Sequence, residues 1–341
     1  MSGFTMSENS GVVNSYYGLS AEPIFAFVES KGEAFEANSL LNKTFSMQSS
    51  KRFGEKIASD TAFDNWLPVG ENGNKPKSAN REGYSKVLEH MTWKNSFSIS
   101  HELADDCKAA GTIDLVKQKP QRFLSAWNRT REEFGSALYG AAIKKQTSLT
   151  INGKAFSSAT ADGVCLFATN HPSILGKATQ SNQFSDAFSA DALAAVETEM
   201  QNFKGDNGEI LSVCPDTIMI PNIYTLKKAV FEVIGADKDP ATANNGSNCY
   251  LFGRWNVIIN PYLNNYITSG TSPWALLDSR YMDENLAAVW FDREKCNLDP
   301  HIDHDTDAWV WGGISRFSAG FADWRFAAVG GVNGGTQLIN S

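Results

Sequence analysis

The sequence has little that would crosslink, anchor or grip. Cysteine is scarce: five in 341 residues, at positions 107, 165, 214, 249 and 296, with no CxxC pair among them. A set that is odd and dispersed excludes a disulfide framework and a zinc ribbon, and it fits free thiols in a reducing compartment. Charge of one sign is short as well. The net charge is -8, charged residues make up 20% of the chain, and no block of five or six like charges occurs. A protein that reads nucleic acid needs a basic stripe for phosphate, and this chain has none. No run of ~18 apolar residues is present to span a bilayer. The opening MSGFTMSENSGVVNSYYG has neither the basic nor the apolar segment of a signal peptide. A soluble protein made in a cytoplasm is therefore expected. Nucleotide loops of the GxxxxGK[ST] and GxGxxG types are missing, as is a GxSxG nucleophile elbow.

Hydrophobic residues, by contrast, are plentiful at 42%, with 9 Trp and 21 Phe. Such a chain buries a sizeable core, and its length exceeds what one compact core needs, so two lobes or one elaborated domain are expected. Residues 1–59, rich in Ser, Asn and Gly at the start, read as an extended N-terminal arm. Residues 60–100 read as a long projecting β-hairpin with a polar tip. Its last part alternates, with Met91, Trp93, Phe97 and Ile99 on one parity and Lys94, Ser96 and Ser98 on the other, the period of a half-buried strand. A tip with so little apolar surface needs a neighbour to lie on. Ser100 is placed to cap a short helix ended by Gly111. A long helix is then predicted over KPQRFLSAWNRTREEFGSALYGAAIKK, with Pro120 in its first turn, an apolar stripe of Phe123, Trp127, Phe134, Leu138 and Ala141, and Lys144 and Lys145 at its end. Further on, Ser189 caps a helix striped by Leu193, Val196, Met200 and Phe203 and stopped by Gly205. Ile218–Ile220 form a buried strand, and Asn222 caps a helix striped by Leu226, Val230 and Val233. The stretch GADKDPATANNGSN has loop composition. Strands follow in YLFGRWNVIINPYLN, WALLDSRY, LAAVWFDR and the aromatic-rich end.

The stretch with the look of chemistry is DPHIDHDTDAWVWGG, residues 299–313. Asp299, His301, Asp303 and His304 approach the HxHxDH signature of a two-metal hydrolase, but the first His is Asp299 and no later His completes the site. Asp303, Asp305 and Asp307 imitate the start of a calcium loop. There the sixth position needs Gly and is Ala308, and the twelfth needs Glu and is Ile314. The stretch is therefore expected to be a polar connection from one lobe to the other ahead of a buried strand, with a cation between subunits left open. His171, before a proline, reads as a turn histidine bonded to backbone. His90 and His101 flank the alternating strand with no nucleophile pattern beside them. Cys165 reads as a buried structural thiol. Glu132 and Glu133 read as a solvated or inter-subunit surface. No catalytic, cofactor or metal residue is assigned. The crowd of Trp309, Trp311, Phe317, Phe321, Trp324 and Phe326 is expected to form a core strand pair or packing between subunits.

The order of these elements, together with LFATNHPS (166–173), PDTIMIPNIYTLKKAV (215–230), FGRWNVIINPYLN (252–264), WALLDSRYMDENLAAVWFDREK (274–295) and RFSAGFADWRFAAVGG (316–331), resembles the major capsid proteins of tailed bacteriophages, a fold shared with encapsulins and herpesvirus capsid floors, and within them the Mu-like major head subunit family. The resemblance covers most of residues 80–331 and implies an α+β fold. It assigns residues 1–59 to the arm, 60–100 to an extended loop over a neighbouring subunit and 101–215 to a peripheral lobe with a spine helix. Residues 216–304 become an axial lobe, and 305–341 return strands to the peripheral lobe. It implies a non-enzymatic shell subunit of the virion, assembled in the bacterial cytoplasm. Its partners would be copies of itself as hexamers and pentamers, a portal, a separate scaffold or none, decoration proteins, and packaged double-stranded DNA bound without sequence preference; no membrane and no cofactor are implied. Lys75, Lys77 and Lys86 lie in the hairpin, and no motif marks any of them as reactive. The alternatives are an encapsulin-type compartment shell and, from another class, a metal-dependent hydrolase using His301, Asp303 and His304.

Overall fold

Alternation of period two forms a strand where it is expected, over Met91–Ile99, and its apolar parity packs inward: Ile99 is buried, Trp93 stacks on Phe317 and Phe97 stacks on Trp311. A computed structural model describes residues 39–60, 66–77, 81–100, 102, 114–235, 251–268 and 270–339. Its elements are a single turn α1 (Leu41–Thr44), strands β1 (Ser46–Ser49), β2 (Gly54–Asp60), β3 (Glu82–Glu89) and β4 (Met91–Ile99), and helix α2 (Asp114–Ile143). They continue with β5 (Ser148–Ile151), β6 (Lys154–Ser157), α3 (Ala190–Gln201), β7 (Thr217–Pro221), α4 (Tyr224–Ile234), β8 (Asn256–Asn260) and a 3-10 segment Pro261–Tyr266. The last are β9 (Trp274–Leu277), α5 (Ser279–Glu284), β10 (Ala288–Ile302), β11 (Trp309–Phe321) and β12 (Ala327–Gly330). The fold is α+β, as expected.

Two four-stranded sheets organise it, in the orders β1-β10-β11-β4 and β12-β9-β7-β8. Helix α2 lies against the first. It has 30 residues, ~45 Å at ~1.5 Å per residue. It starts at Asp114, so Pro120 falls inside it rather than in its first turn, and the Val116 carbonyl forgoes its usual partner there. The predicted stripe holds, and from Phe134 to Ala142 the helix is buried on every side, so it runs through the core rather than over it. Gly140 makes this approach possible: a Cβ there would sit 2.2 Å from the Tyr266 ring. The second sheet is the mixed lobe. β7 is buried along its whole length, pairs parallel with β8 and antiparallel with β9, and shares one hydrophobic core with α3 and α4. Ser189 caps α3 through its hydroxyl, which accepts from the Ala192 N–H, as expected.

Several expectations are corrected. Asn222 does not cap α4; its N–H donates to Asn264 Oδ1, and the helix begins at Tyr224 without a side-chain cap. The buried stripe of that helix ends on Ile234 rather than Val233. α3 ends at Gln201, before Gly205. The hairpin's limbs are β2 and β3, paired from Gly54↔Glu89 to Asp60↔Glu82, whereas β4 pairs with β11. The alternation marks a strand correctly but not its partner, because that partner lies more than 200 residues away in sequence. Residues 303–308 do not carry the chain between units: they close the hairpin of β10 and β11, which pair from Ala288↔Phe321 to Ile302↔Trp309 within one sheet. The chain crosses to the second sheet later, where β12 pairs with β9. The expected Ser100-capped helix, His101 and the stretch 236–250 lie outside the described residues, apart from a helical Glu102.

Candidate assembly surface

Hairpin β2–β3 is seated on the first sheet by a small apolar cluster, in which Ile57 and Leu88 pack with Val289, Phe291 and Ala322. Beyond that base its alternation turns polar, and an exposed Lys56–Glu82 pair bridges the two strands at 2.8 Å. Residues 66–77 follow with no regular structure, and every one of them is exposed. A turn closes there from Gly73 N–H to Gly70 O at 2.8 Å, with Asn72 in the left-handed region that Asn tolerates better than most residues. Ahead of the turn stand three exposed apolar side chains: Trp66 at 97%, Leu67 at 63% and Val69 at 53%. A Trp in open water forgoes ~1.5–3 kcal/mol of burial or more, a large omission unless a partner covers it.

Polar clamps hold the hairpin's base. The Lys86 ammonium donates to the carbonyls of Ala159 (2.5 Å) and Ser157 (3.3 Å), and burial pushes its pKa down to about 8. His90 lies between two hydroxyls, with Nε2 2.9 Å from Ser50 Oγ and Nδ1 3.0 Å from Ser318 Oγ, while Ser50 donates to Glu55. Burial depresses the basicity of this ring, and Arg293 adds to that. Sequence reasoning finds no serine near His90 because both partners are distant in the chain. His90, Ser50 and Ser318 are all about 95% buried, so the group is a pin rather than a nucleophile open to substrate.

Beneath the hairpin a second polar system ties the loops to the sheets. His171 is fully buried, and its ring meets side chains rather than backbone: Nδ1 is 2.8 Å from Asp162 Oδ2, Nε2 is 3.2 Å from Asn182 Oδ1, and the face stacks on Trp324 at 4.4 Å. Asn182 in turn donates to the carbonyls of Leu166 and Ala327 and accepts from the Ala168 N–H. Burial opposes the charge of Asp162, but donors from His171, Thr160 and the Val164 N–H prevail and hold its carboxyl below the usual range. A carboxylate depressed in this way contributes stability that is present above its unfolded pKa, ~3.9, and is lost as pH falls through the folded value. Asp162→Asn is accordingly expected to lower stability by ~1.5–3 kcal/mol at pH 7, with the gap to the unmodified protein closing below pH ~4; thermal melts across that range check it. Next to this system Arg325 bonds Asp323 and Asp206, and Tyr281 donates to Asp323 at 2.8 Å. These groups line a polar cleft of about 550 Å³ together with Ser59 and Arg280.

The acidic stretch is placed differently. Its His301, His304, Asp305 and Asp307 are exposed at the tip of the β10–β11 hairpin. Asp303 serves the turn: Oδ1 accepts from the Asp305 N–H and Oδ2 from the Thr306 hydroxyl, and these bonds lower its pKa. Among the described residues no group of three or more His, Cys, Asp or Glu side chains is placed to hold a metal ion. Cys165 is buried, its thiol directed at the carbonyls of Ala142 and Gln146. Glu132 reaches back to the Leu40 N–H, and Glu133 is exposed. Of the aromatic crowd, Trp311, Phe317, Phe321, Trp324 and Phe326 are buried core. Among the described residues no helix is long and apolar enough to cross a membrane.

No family model and no curated protein matches the sequence. Solved structures do. The capsid of Ralstonia phage GP4 is similar over 85% of this chain and 87% of that one, at 10% identity and a TM-score of 0.50. A chain from Mycobacterium phage Patience covers 99% of this chain and 96% of its own at 12% identity and a TM-score of 0.49. The capsid structure of the cyanophage P-SCSP1u covers 89% of each chain at 11% identity, with a TM-score of 0.49. At these identities the likeness, carried by the GP4 chain, is one of fold.

Proposed function

We propose that this chain is the major capsid protein of a tailed phage, a subunit that assembles with copies of itself into an icosahedral shell around double-stranded DNA. The observation that carries the reading is the hairpin. Its base is fastened to the body by Lys86, His90 and the Ile57–Leu88 cluster, while its tip presents Trp66, Leu67 and Val69 to solvent. A rigidly based arm with an uncovered apolar end suits a neighbouring copy. The fold shared with the GP4 capsid chain supports it, and the family phrases between residues 166 and 331 favour the Mu-like head subunits. In this reading α2, the first sheet and the hairpin form the peripheral lobe, and the second sheet with α3 and α4 forms the axial lobe. A net charge of -8 lets the wall face DNA without adhering to it. The role is structural rather than enzymatic: the residues of the hydrolase alternative stand at an exposed turn, with Asp303 engaged in closing it. Portal, scaffold and decoration proteins are further partners the reading entails, in a virion built in the host cytoplasm. Negative-stain microscopy of the expressed protein tests it. Closed shells or five- and six-fold rings are expected; a monodisperse monomer at high concentration would refute the reading.

A further inference from the structure

We propose that His90 is a pH-sensitive pin: as a neutral ring it completes a one-way chain of hydrogen bonds that seats the β2–β3 hairpin on the first sheet, and protonation breaks that chain and loosens the seat. The inference concerns the subunit itself and stands apart from the shell reading.

One hydroxyl fixes the direction of the chain. Ser50 has a single proton, and it goes to the Glu55 carboxylate at 2.7 Å. Its oxygen also accepts from the Arg52 N–H. The remaining lone pair faces His90 Nε2 at 2.9 Å, so Nε2 has to carry a proton. In a neutral ring Nδ1 is then bare, and it accepts from the Ser318 hydroxyl at 3.0 Å. The chain runs from Ser318 through His90 and Ser50 to Glu55. Its links join both limbs of the hairpin to the body. Glu55 lies on β2, His90 stands between β3 and β4, Ser318 lies on β11, and the Ser50 N–H donates to the Asp292 carbonyl of β10. His90, Ser50 and Ser318 are buried, so a lost link is costly.

A second ring proton has no place there. It would sit on Nδ1 and point at the Ser318 hydroxyl, whose own proton points back. The added charge is opposed as well. Arg293 on β10 and Arg316 on β11 repel it, while Glu55 on β2 and Asp292 on β10 attract it. Both carboxylates are already engaged, Glu55 by Ser50 and Arg52, and Asp292 by Arg131 and the Trp290 indole. By contrast, Arg293 donates to a neutral carbonyl, that of Arg52, and the Arg316 Nε–H is buried with no acceptor. Burial first, and then Arg293, hold the ring's pKa below its ordinary value.

The sign follows by linkage. Once the seat opens, His90 titrates at the ~6.5 of a free imidazole. As the pH falls through ~6.5 the open form binds more protons than the seated one. The seat therefore weakens from there down to the ring's folded midpoint, with no further loss from this group below it.

Hydrogen exchange of the full chain, read by mass spectrometry at pH ~7 and ~5.5 and corrected for the intrinsic effect of pH, tests the pin. The window lies above the carboxylate range and below the Lys86 midpoint of about 8. Amides of Gly54–Asp60 and Glu82–Glu89 are expected to lose protection severalfold across it, while those of the buried part of α2 hold theirs. Exchange of the His90 ring C2–H in the same protein reports the ring's own midpoint, expected below ~6.5. His90→Gln keeps a donor and an acceptor but takes no second proton, and its hairpin is expected to hold one level of protection throughout. Unchanged protection of the two strands in the unmodified protein would overturn the pin, as would a His90 midpoint at or above ~6.5. So would a loss that persists undiminished in His90→Gln. If that variant does not fold, the two measurements on the unmodified protein decide.

Discussion

Replacing residues 66–77 with a short Gly/Ser linker is expected to leave the subunit's melting temperature within a few degrees of the unmodified protein and to abolish closed shells. The first half follows from exposure. Each of these residues is open to solvent, so the subunit's own core loses nothing with them. Surface changes of this kind shift stability by ~0.5 kcal/mol or less. What seats the hairpin remains, since Ile57, Leu88, Lys86 and His90 all lie outside the replaced stretch. The second half follows from the three apolar side chains removed, Trp66, Leu67 and Val69, which are exposed in their own subunit. If they bury ~150–250 Å² per aromatic against a neighbour, their loss is repeated at every contact of a closed lattice. Circular dichroism melts and negative-stain images of one preparation decide the matter. Shells at normal yield from the linker variant would show that the tip is ornamental, and a collapsed melting temperature would show that it packs on its own body.

How far the sequence carries is clearest from the elements it misassigns. α2 is legible because its stripe is local: Phe123, Trp127, Phe134 and Leu138 announce a helix without reference to anything else. Its start is not, because Pro120 usually marks a first turn and here tertiary burial of the helix tolerates it in the interior. β4 is legible as a strand for the same local reason, but pairing is a non-local property. Nothing in Met91–Ile99 says that β11 rather than β2 lies beside it. The polar clamps show the same limit more sharply. His171 reads as bonded to backbone, and its true partners, Asp162 and Asn182, stand in loops whose fold no period predicts. His90 finds its serines at positions 50 and 318. The tip of the hairpin is the opposite case. Its polar, Gly- and Asn-rich composition is visible, while the apolar residues that count, Trp66, Leu67 and Val69, pass in the sequence for part of a limb.

Trp290→Ala is expected to destabilise the subunit by ~3–5 kcal/mol, the range for truncating a buried aromatic in a close-packed core. Trp290 is fully buried on β10, at the point where the first sheet, α1 and α2 converge. Its ring stacks on Phe317 at 4.9 Å and meets Phe134 and Phe45 edge-on at 5.8 and 5.9 Å. It also bears on charge. Its indole N–H donates to Asp292 Oδ1 at 2.8 Å, and the other carboxylate oxygen of Asp292 accepts from Arg131 at 2.6 Å, whose guanidinium lies 5.2 Å over the same ring. Removing the indole therefore opens a cavity beside a buried ion pair and takes away one of its donors. Trp290→Phe separates the two contributions. It restores most of the volume and leaves only the missing N–H bond, ~1.5–3 kcal/mol for a donor to a charged group. Arg131→Ala is expected to match the alanine variant of Trp290 for a different reason, since it leaves the Asp292 carboxylate buried without its cation, at ~3–5 kcal/mol. At ~1.4 °C per kcal/mol for a chain of 341 residues, the alanine variants should melt ~4–7 °C below the unmodified subunit and the phenylalanine variant about half as far. Equal losses for Phe and Ala at position 290 would place the whole effect in the hydrogen bond and refute the packing account; no loss for either would refute the core itself.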